Sequence, residues 1–132
     1  GSVASYKKQM DEARELAAQA QAAGMTATVA TKEATAQSGE KVEALDQVVI
    51  AYDPDNMSAR DPRTVAVLDK IAALAKRSRE PLTIAAEGRD MRACQIPLAE
   101  LSARDPFPPA KAIDKCGQGK PQLVITPVPD LT

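Results

Sequence analysis

The stretch QVVIAYDPDNMSARDPRTVAVLDKIAALAKRSREPLTIAAEG, residues 47–88, decides the architecture that the rest of the chain completes. It opens on a β-branched and aromatic run at 47–53, which is typical of a strand. Asp61 and Pro62 predict a helix start, because Asp caps free amides and Pro fits the first helical position. A proline stops that helix, and residues 81–88 predict a second strand. A crossover of this length favours a parallel, right-handed pair of strands.

The segments around this unit extend the pattern. Prolines at its start and a glycine at its end predict a short helix over 108–117. A β-branched run predicts a third strand over 122–128. The predicted fold is therefore an α/β (α+β) two-layer sandwich. It has a small sheet of three to four strands with helices on one face, preceded by an N-terminal helix.

Three regions follow from this pattern. Residues 1–24 predict an N-terminal helical arm, which packs either on a partner or on the protein's own core. Residues 25–46 predict a linker or an edge strand, with 26–31 as the strand, and residues 47–132 predict the compact domain. Gly1-Ser2 is typical of a cloning remnant, which fits an export signal or a membrane anchor removed from the N-terminus.

Composition excludes several function classes. The chain has 132 residues, a net charge of −1, 2% aromatic residues and no histidine. Without a global positive field or stacking aromatics, we expect no nucleic-acid binding. Without histidine there is no Ser–His or Cys–His pair and no common zinc ligand. No apolar run is long enough for a transmembrane span. The sequence therefore predicts a protein that is not an enzyme and that has no cofactor.

The two cysteines, Cys94 and Cys116, enclose a proline-rich segment that contains Phe107. The alternatives are a disulfide and two buried, reduced thiols, and an even count flanking an irregular segment favours the disulfide. Such a bridge contributes roughly 3 kcal/mol. It predicts a stapled surface loop in an oxidising compartment: periplasm, cell surface or secretion.

Two polar clusters are candidates for binding sites. Asp53, Asp55 and Asn56 do not match the calcium-loop spacing, and a turn explains them without a metal. The second cluster follows the strand at 81–88, where Arg89 and Arg92 could grip a carboxylate and Asp90 could accept an amine. Its alternative is a solvated turn whose charges compensate one another.

Three segments resemble the OmpA-like peptidoglycan-associating domain of Gram-negative envelopes: VVIAYDPDNMSARDPRTVAVLDKIAALAK, LTIAAEGRD and LAELSARD. The resemblance covers about residues 47–128. It implies that Asp90 pairs with the amine of the diaminopimelate in the peptide stem and that an arginine, Arg104 or Arg92, pairs with its carboxylate. The family's histidine is absent, and its arginine position is taken by Asp105.

Two functions are consistent with these observations. The first is a non-enzymatic periplasmic or cell-envelope domain that associates with peptidoglycan. The alternative is a protein-interaction or assembly module of an envelope or secretion complex, similar to a lipoprotein component. In that alternative the contact surface is the disulfide-closed proline loop, with Phe107 as its anchor, together with the N-terminal helix, because aromatic residues are enriched among binding hot spots.

Overall fold

The computed structural model of the chain describes residues 1–77, 82–104 and 111–127. The elements within these ranges, in chain order, are α1 (Val3–Ala22), β1 (Thr26–Thr35), β2 (Lys41–Ala51), α2 (Pro54–Ser58), α3 (Pro62–Arg77), β3 (Leu82–Gly88), α4 (Met91–Ser102), β4 (Ala112–Cys116) and β5 (Gln118–Pro127). The fold is α+β with an N-terminal helix, as the sequence predicts.

The strands form one mixed sheet in the order β1-β2-β5-β3-β4. Four of the strands make three antiparallel pairs, β1 with β2, β2 with β5, and β5 with β3. The remaining pair, β3 with β4, is parallel and is connected through α4. The described sheet therefore has five strands, where the sequence predicted three or four.

The predicted pairing of the strands around 47–53 and 81–88 is wrong in one respect. These strands, β2 and β3, run in the same direction, but β5 lies between them and pairs with both. Ile125 is opposite Val48 on one side and opposite Ile84 on the other. The α3 connection therefore crosses over one intervening strand, because the last strand of the chain fills the central position of the sheet.

The predicted short helix over 108–117 is also wrong over Ala112–Cys116, whereas residues 108–110 lie outside the described residues. Ala112–Cys116 forms the edge strand β4, paired residue by residue with β3 from Ile84 to Gly88. A segment of five residues has little helical stability of its own. The backbone groups available along β3 decide its conformation, and Gly117 then turns the chain into β5.

Residues 25–46 contain a β-hairpin. Strand β1 extends from Thr26 to Thr35, longer than the strand predicted at 26–31, and a turn around Gly39 leads into β2. The register shifts between Ala30 and Thr31, which marks a β-bulge. β1 is the outer strand of the sheet and exposes most of its side chains, which explains why its sequence is rich in Thr and polar residues rather than large apolar ones.

One hydrophobic cluster joins the helices to one face of the sheet. From α1 it includes Met10 and Leu16, and from the other elements it includes Val48, Ile50, Val67, Leu68, Ile71, Ile84, Leu101, Leu123 and Ile125. The N-terminal helix therefore packs on the protein's own core. Its buried stripe is rich in alanine, which lets its backbone come close to β2. Ser2 caps the helix by accepting a hydrogen bond from the Ser5 amide.

The segment predicted as a loop between the cysteines begins as a helix. Asp90 caps α4 and Pro97 lies inside it, fully buried. Pro97 concealed this helix in the sequence, because a proline in a helix interior usually breaks it. Ile96 and Leu101 share the core with Pro97. Burial of this apolar face offsets the missing backbone hydrogen bond.

The disulfide between Cys94 and Cys116 is confirmed, with Cα atoms 5.7 Å apart. It joins the first turn of α4 to the last residue of β4, and Cys94 is completely buried. The bridge therefore links a core helix to an edge strand rather than closing a surface loop. Residues 105–110, which include Phe107, lie outside the described residues.

Reduction of the disulfide should lower the free energy of unfolding by about 3 kcal/mol, because the unfolded chain regains the entropy of an open segment 22 residues long. Urea denaturation with and without reductant measures this difference. A Cys94→Ala/Cys116→Ala double variant is the control, since its unfolding should not respond to the reductant. An unchanged unfolding midpoint for the reduced wild-type protein would contradict the assigned role.

Candidate functional site

The candidate site is the edge where β3 ends and α4 begins, here called the Asp90 edge and made of Arg89, Asp90 and Arg92. All three side chains are exposed. The Asp90 carboxylate caps α4 by accepting a hydrogen bond from the Ala93 amide at 3.1 Å. The sequence predicted Asp90 and Arg92 at the end of a strand, and in the structure they lie between the end of β3 and the first turn of α4.

A buried tyrosine, Tyr52, forms a hydrogen bond to the backbone of β3 just before this edge. The Tyr52 hydroxyl, 3% exposed, donates a 2.7 Å hydrogen bond to the Glu87 carbonyl. Between Glu87 and the Asp90 edge lies Gly88, with φ +149°. A Cβ on Gly88 would overlap the Tyr52 hydroxyl. Glycine is therefore required here, because it allows the strand to pass over the tyrosine before the chain turns into α4.

The electrostatic surroundings of Tyr52 are unusual for a tyrosine. Burial, and then the negative charge of Asp90, raise the pKa of Tyr52 to about 12. The phenol therefore stays protonated and acts as a hydrogen-bond donor at all physiological pH values.

Hydrogen bonds and the disulfide fix the neighbouring strand end. Gly117 donates its amide to the Gly88 carbonyl at 2.7 Å. Asp114 accepts from the Gln95 side-chain amide and from the Cys116 backbone amide, each at 2.9 Å. These two bonds, the one from Gln95 first, lower the pKa of Asp114. The start of α4 is thus attached to β4 by a side-chain pair as well as by the disulfide.

Arg104, the other predicted clamp residue, lies at the opposite end of α4. Fourteen residues separate it from Asp90, and a helical rise of about 1.5 Å per residue puts them roughly 20 Å apart. Arg104 donates to Asp69 at 2.7 Å and to the Glu100 carboxylate at 2.9 Å. Hydrogen bonds from Arg60 and then Arg104 lower the pKa of Glu100. The Arg104 guanidinium is therefore engaged in joining α3 to α4.

The acidic composition of the turn at 53–56 is explained by hydrogen bonds from its backbone amides. The Asp53 carboxylate accepts from the amides of Asp55 and Asn56 at 2.8 and 3.1 Å and so caps α2. Across residues 1–77, 82–104 and 111–127, no group of three Asp, Glu or Cys side chains is arranged to hold a metal ion. The Asp53 carboxylate of this turn serves as a helix cap.

The sequence did not predict the second face of the sheet. The described helices pack through the core cluster on the other face, and none of them packs on this one through that cluster. Its central residues are Thr28, Val49, Val124, Ala85 and Ile113, one from each strand. Ile113 is 40% exposed. The only signal in the sequence is the alternation of side chains between the two faces within each strand. Which of these side chains are neighbours across the strands follows only from the register.

Comparisons with protein-family models, with curated proteins and with solved structures find no match to this chain. Its function must therefore be inferred from its own residues. None of the helices in the described ranges combines the length and the apolar character needed to cross a membrane.

Replacing Tyr52 with phenylalanine should reduce the free energy of unfolding by about 1 kcal/mol at neutral pH, the typical net contribution of one hydrogen bond. The wild type should lose further stability as pH rises from 10 toward 12, because the unfolded tyrosine releases its proton near 10 while the folded one holds it to about 12. The variant should lack this part of the alkaline loss. Urea denaturation at several alkaline pH values measures both proteins, and identical pH dependence would contradict the assigned environment.

Proposed function

We propose that this chain is a non-enzymatic domain of the bacterial cell envelope that associates with peptidoglycan through the Asp90 edge. The observation that carries the proposal is an exposed carboxylate that lies in sequence between two exposed arginines. Its position is fixed by the hydrogen bond from Tyr52 to β3 and by the disulfide between α4 and β4. Such an edge presents opposite charges within reach of one small zwitterionic group.

Peptidoglycan offers a ligand with matching chemistry. The diaminopimelate of its peptide stem carries an amine and a carboxylate on the same carbon. Asp90 would pair with the amine and Arg92 with the carboxylate, and charge-assisted hydrogen bonds of this kind are stronger than neutral ones. The Asp90 oxygen used for capping is Oδ1, and no other described residue donates a hydrogen bond to this carboxylate.

Two further features support an envelope location. A disulfide persists in an oxidising compartment, which favours the periplasm or the cell surface. Of the three segments that resemble OmpA-like domains, the first spans β2, α2 and α3, the second lies on β3, and the third begins in α4. A domain of this kind would act within a periplasmic or lipoprotein component.

Within this proposal Arg92, rather than Arg104, is the arginine of the clamp. Arg104 is engaged by Asp69 and Glu100 and lies at the far end of α4. Arg92 lies two residues after Asp90 and is exposed. Arg89 adds a second positive charge on the strand side of the carboxylate, which gives a carboxylate ligand two possible approaches.

Asp90→Asn should weaken co-sedimentation with purified peptidoglycan sacculi at least tenfold, since it removes one charge-assisted pair worth about 1.5–3 kcal/mol. Asparagine is as good a helix cap as aspartate, so the fold of α4 is preserved. Arg92→Gln should have a similar effect. Sedimentation of the oxidised protein over a series of sacculus concentrations measures the affinities.

Arg63→Gln is the matched control, because Arg63 is also an exposed arginine but belongs to α3 rather than to the Asp90 edge. Its retention should equal that of the wild type. The proposal fails if the wild-type protein is not retained, or if Asp90→Asn and Arg63→Gln are retained alike.

An assembly module of an envelope or secretion complex is the second candidate, and the uncovered face of the sheet favours it. This face does not include the Asp90 edge, so the two functions are separable. Asp90→Asn should leave protein association unchanged, whereas a charge on the sheet face should abolish it without altering the Asp90 edge itself.

A further inference from the structure

The face of the sheet away from the core cluster, which no described helix covers, carries a row of small and mostly apolar side chains that crosses all five described strands. Within this row Ala85 is 8% exposed and Ile113 is 40% exposed. Register places Thr28 opposite Val49, Val49 opposite Val124, Val124 opposite Ala85, and Ala85 opposite Ile113. We propose that this row, here called the central row, is the contact surface for a second copy of the chain, stacked sheet on sheet.

The rows on either side have the composition of an interface rim. Toward the ends of β3 and β4 the next row consists of Thr26, Ala51, Gln122, Glu87 and Lys115. On the other side are Ala30, Gln47, Thr126 and Thr83. Among the residues named in these three rows, Glu87 and Lys115 are the only charged ones, and their charges cancel. A face with an apolar centre, a polar rim and no net charge is compatible with a copy of itself.

The order of side-chain sizes along the central row makes it self-complementary. A two-fold axis parallel to β5 would place Val124 over Val124 of the partner subunit. The same rotation reverses the row, so that Val49 faces the partner's Ala85 and Ile113 faces the partner's Thr28. A larger side chain then meets a smaller one at each pair beyond the centre. This axis keeps the strands of the two sheets nearly aligned, as in packed β-sandwiches.

The available area agrees with a reversible dimer. Five strands about 4.8 Å apart, with three outward residues at intervals of about 6.6 Å, give a patch of roughly 500 Å². Two such patches bury roughly 1,000 Å² in total, which is near the lower limit of specific interfaces. We therefore expect an association that depends on concentration rather than a permanent dimer.

Sedimentation velocity from roughly 1 µM to 1 mM should show a monomer–dimer equilibrium. Val124→Lys should weaken the association at least tenfold, because a lysine at the centre of the row would be buried against an apolar surface. Ala73→Lys is the matched control, since Ala73 is exposed on α3 at the helical side of the molecule. Its dimerisation should equal that of the wild type.

A second variant keeps the test decisive if Val124→Lys does not fold. Thr28→Arg changes an exposed residue of the outer strand β1, where the sheet tolerates a long polar side chain, and it should also weaken the dimer. Circular dichroism and thermal unfolding verify the fold of each variant before its association is measured.

A spin label on a Val124→Cys variant distinguishes face stacking from other dimers. Stacked sheets lie about 10 Å apart, so the two labels should show strong dipolar coupling. A label on Ala73→Cys should show weak coupling, because α3 lies on the opposite side of the molecule. A protein that remains monomeric throughout would overturn the proposal and leave the face to another partner. A dimer that is insensitive to both Val124→Lys and Thr28→Arg would overturn it as well.

Discussion

Antiparallel pairing of β5 with both β2 and β3 holds the two halves of the sheet together. Ile125 faces Val48 on one side and Ile84 on the other, and all three are buried in the same cluster. Without β5 the hairpin of β1 and β2 would have no hydrogen-bonded connection to β3 and β4. β5 follows the other four described strands in sequence, so the sheet is complete only when contacts across residues 26–127 have formed.

The position of the Asp90 edge follows from this arrangement. β5 fixes β3, whose last residues pass over Tyr52, and the Gly88 backbone makes room for the phenol. The disulfide then attaches α4 to β4 across the parallel pair. In a core with few aromatic residues, this covalent link replaces contacts that larger side chains would otherwise make. The exposed charges therefore project from a rigid base, although they lie at the surface.

The sequence allowed the central elements to be predicted where local signals agreed. β-branched residues marked β2 and β3, and Asp61 with Pro62 marked the start of α3. Prediction failed where pairing or burial outweighed local preference, as in β4, which is a strand because β3 offers an edge. It also failed at α4, where buried Pro97 concealed the helix.

The same distinction applies to the candidate site. Asp90 and Arg92 are neighbours in sequence, so their proximity could be predicted. Whether Arg104 would lie beside Asp90 depended on the path of the chain between these two residues. Helix α4 runs between them and separates them by roughly 20 Å. The central row depends on the register of four strand pairs. Spacing within one strand cannot reveal it.

The two proposed surfaces have a geometric relation that affects how the protein would bind a polymer. Rotation about an axis parallel to β5 preserves strand direction, so both copies of β3 would end at the same side of the dimer. The two Asp90 edges would then face one peptidoglycan layer together. Binding of the second edge becomes intramolecular, and its effective concentration raises the overall affinity without any new contact. A weak clamp made of one carboxylate and one or two arginines is best suited to such a bivalent arrangement, because the repeating stems of a cell wall offer a second ligand nearby.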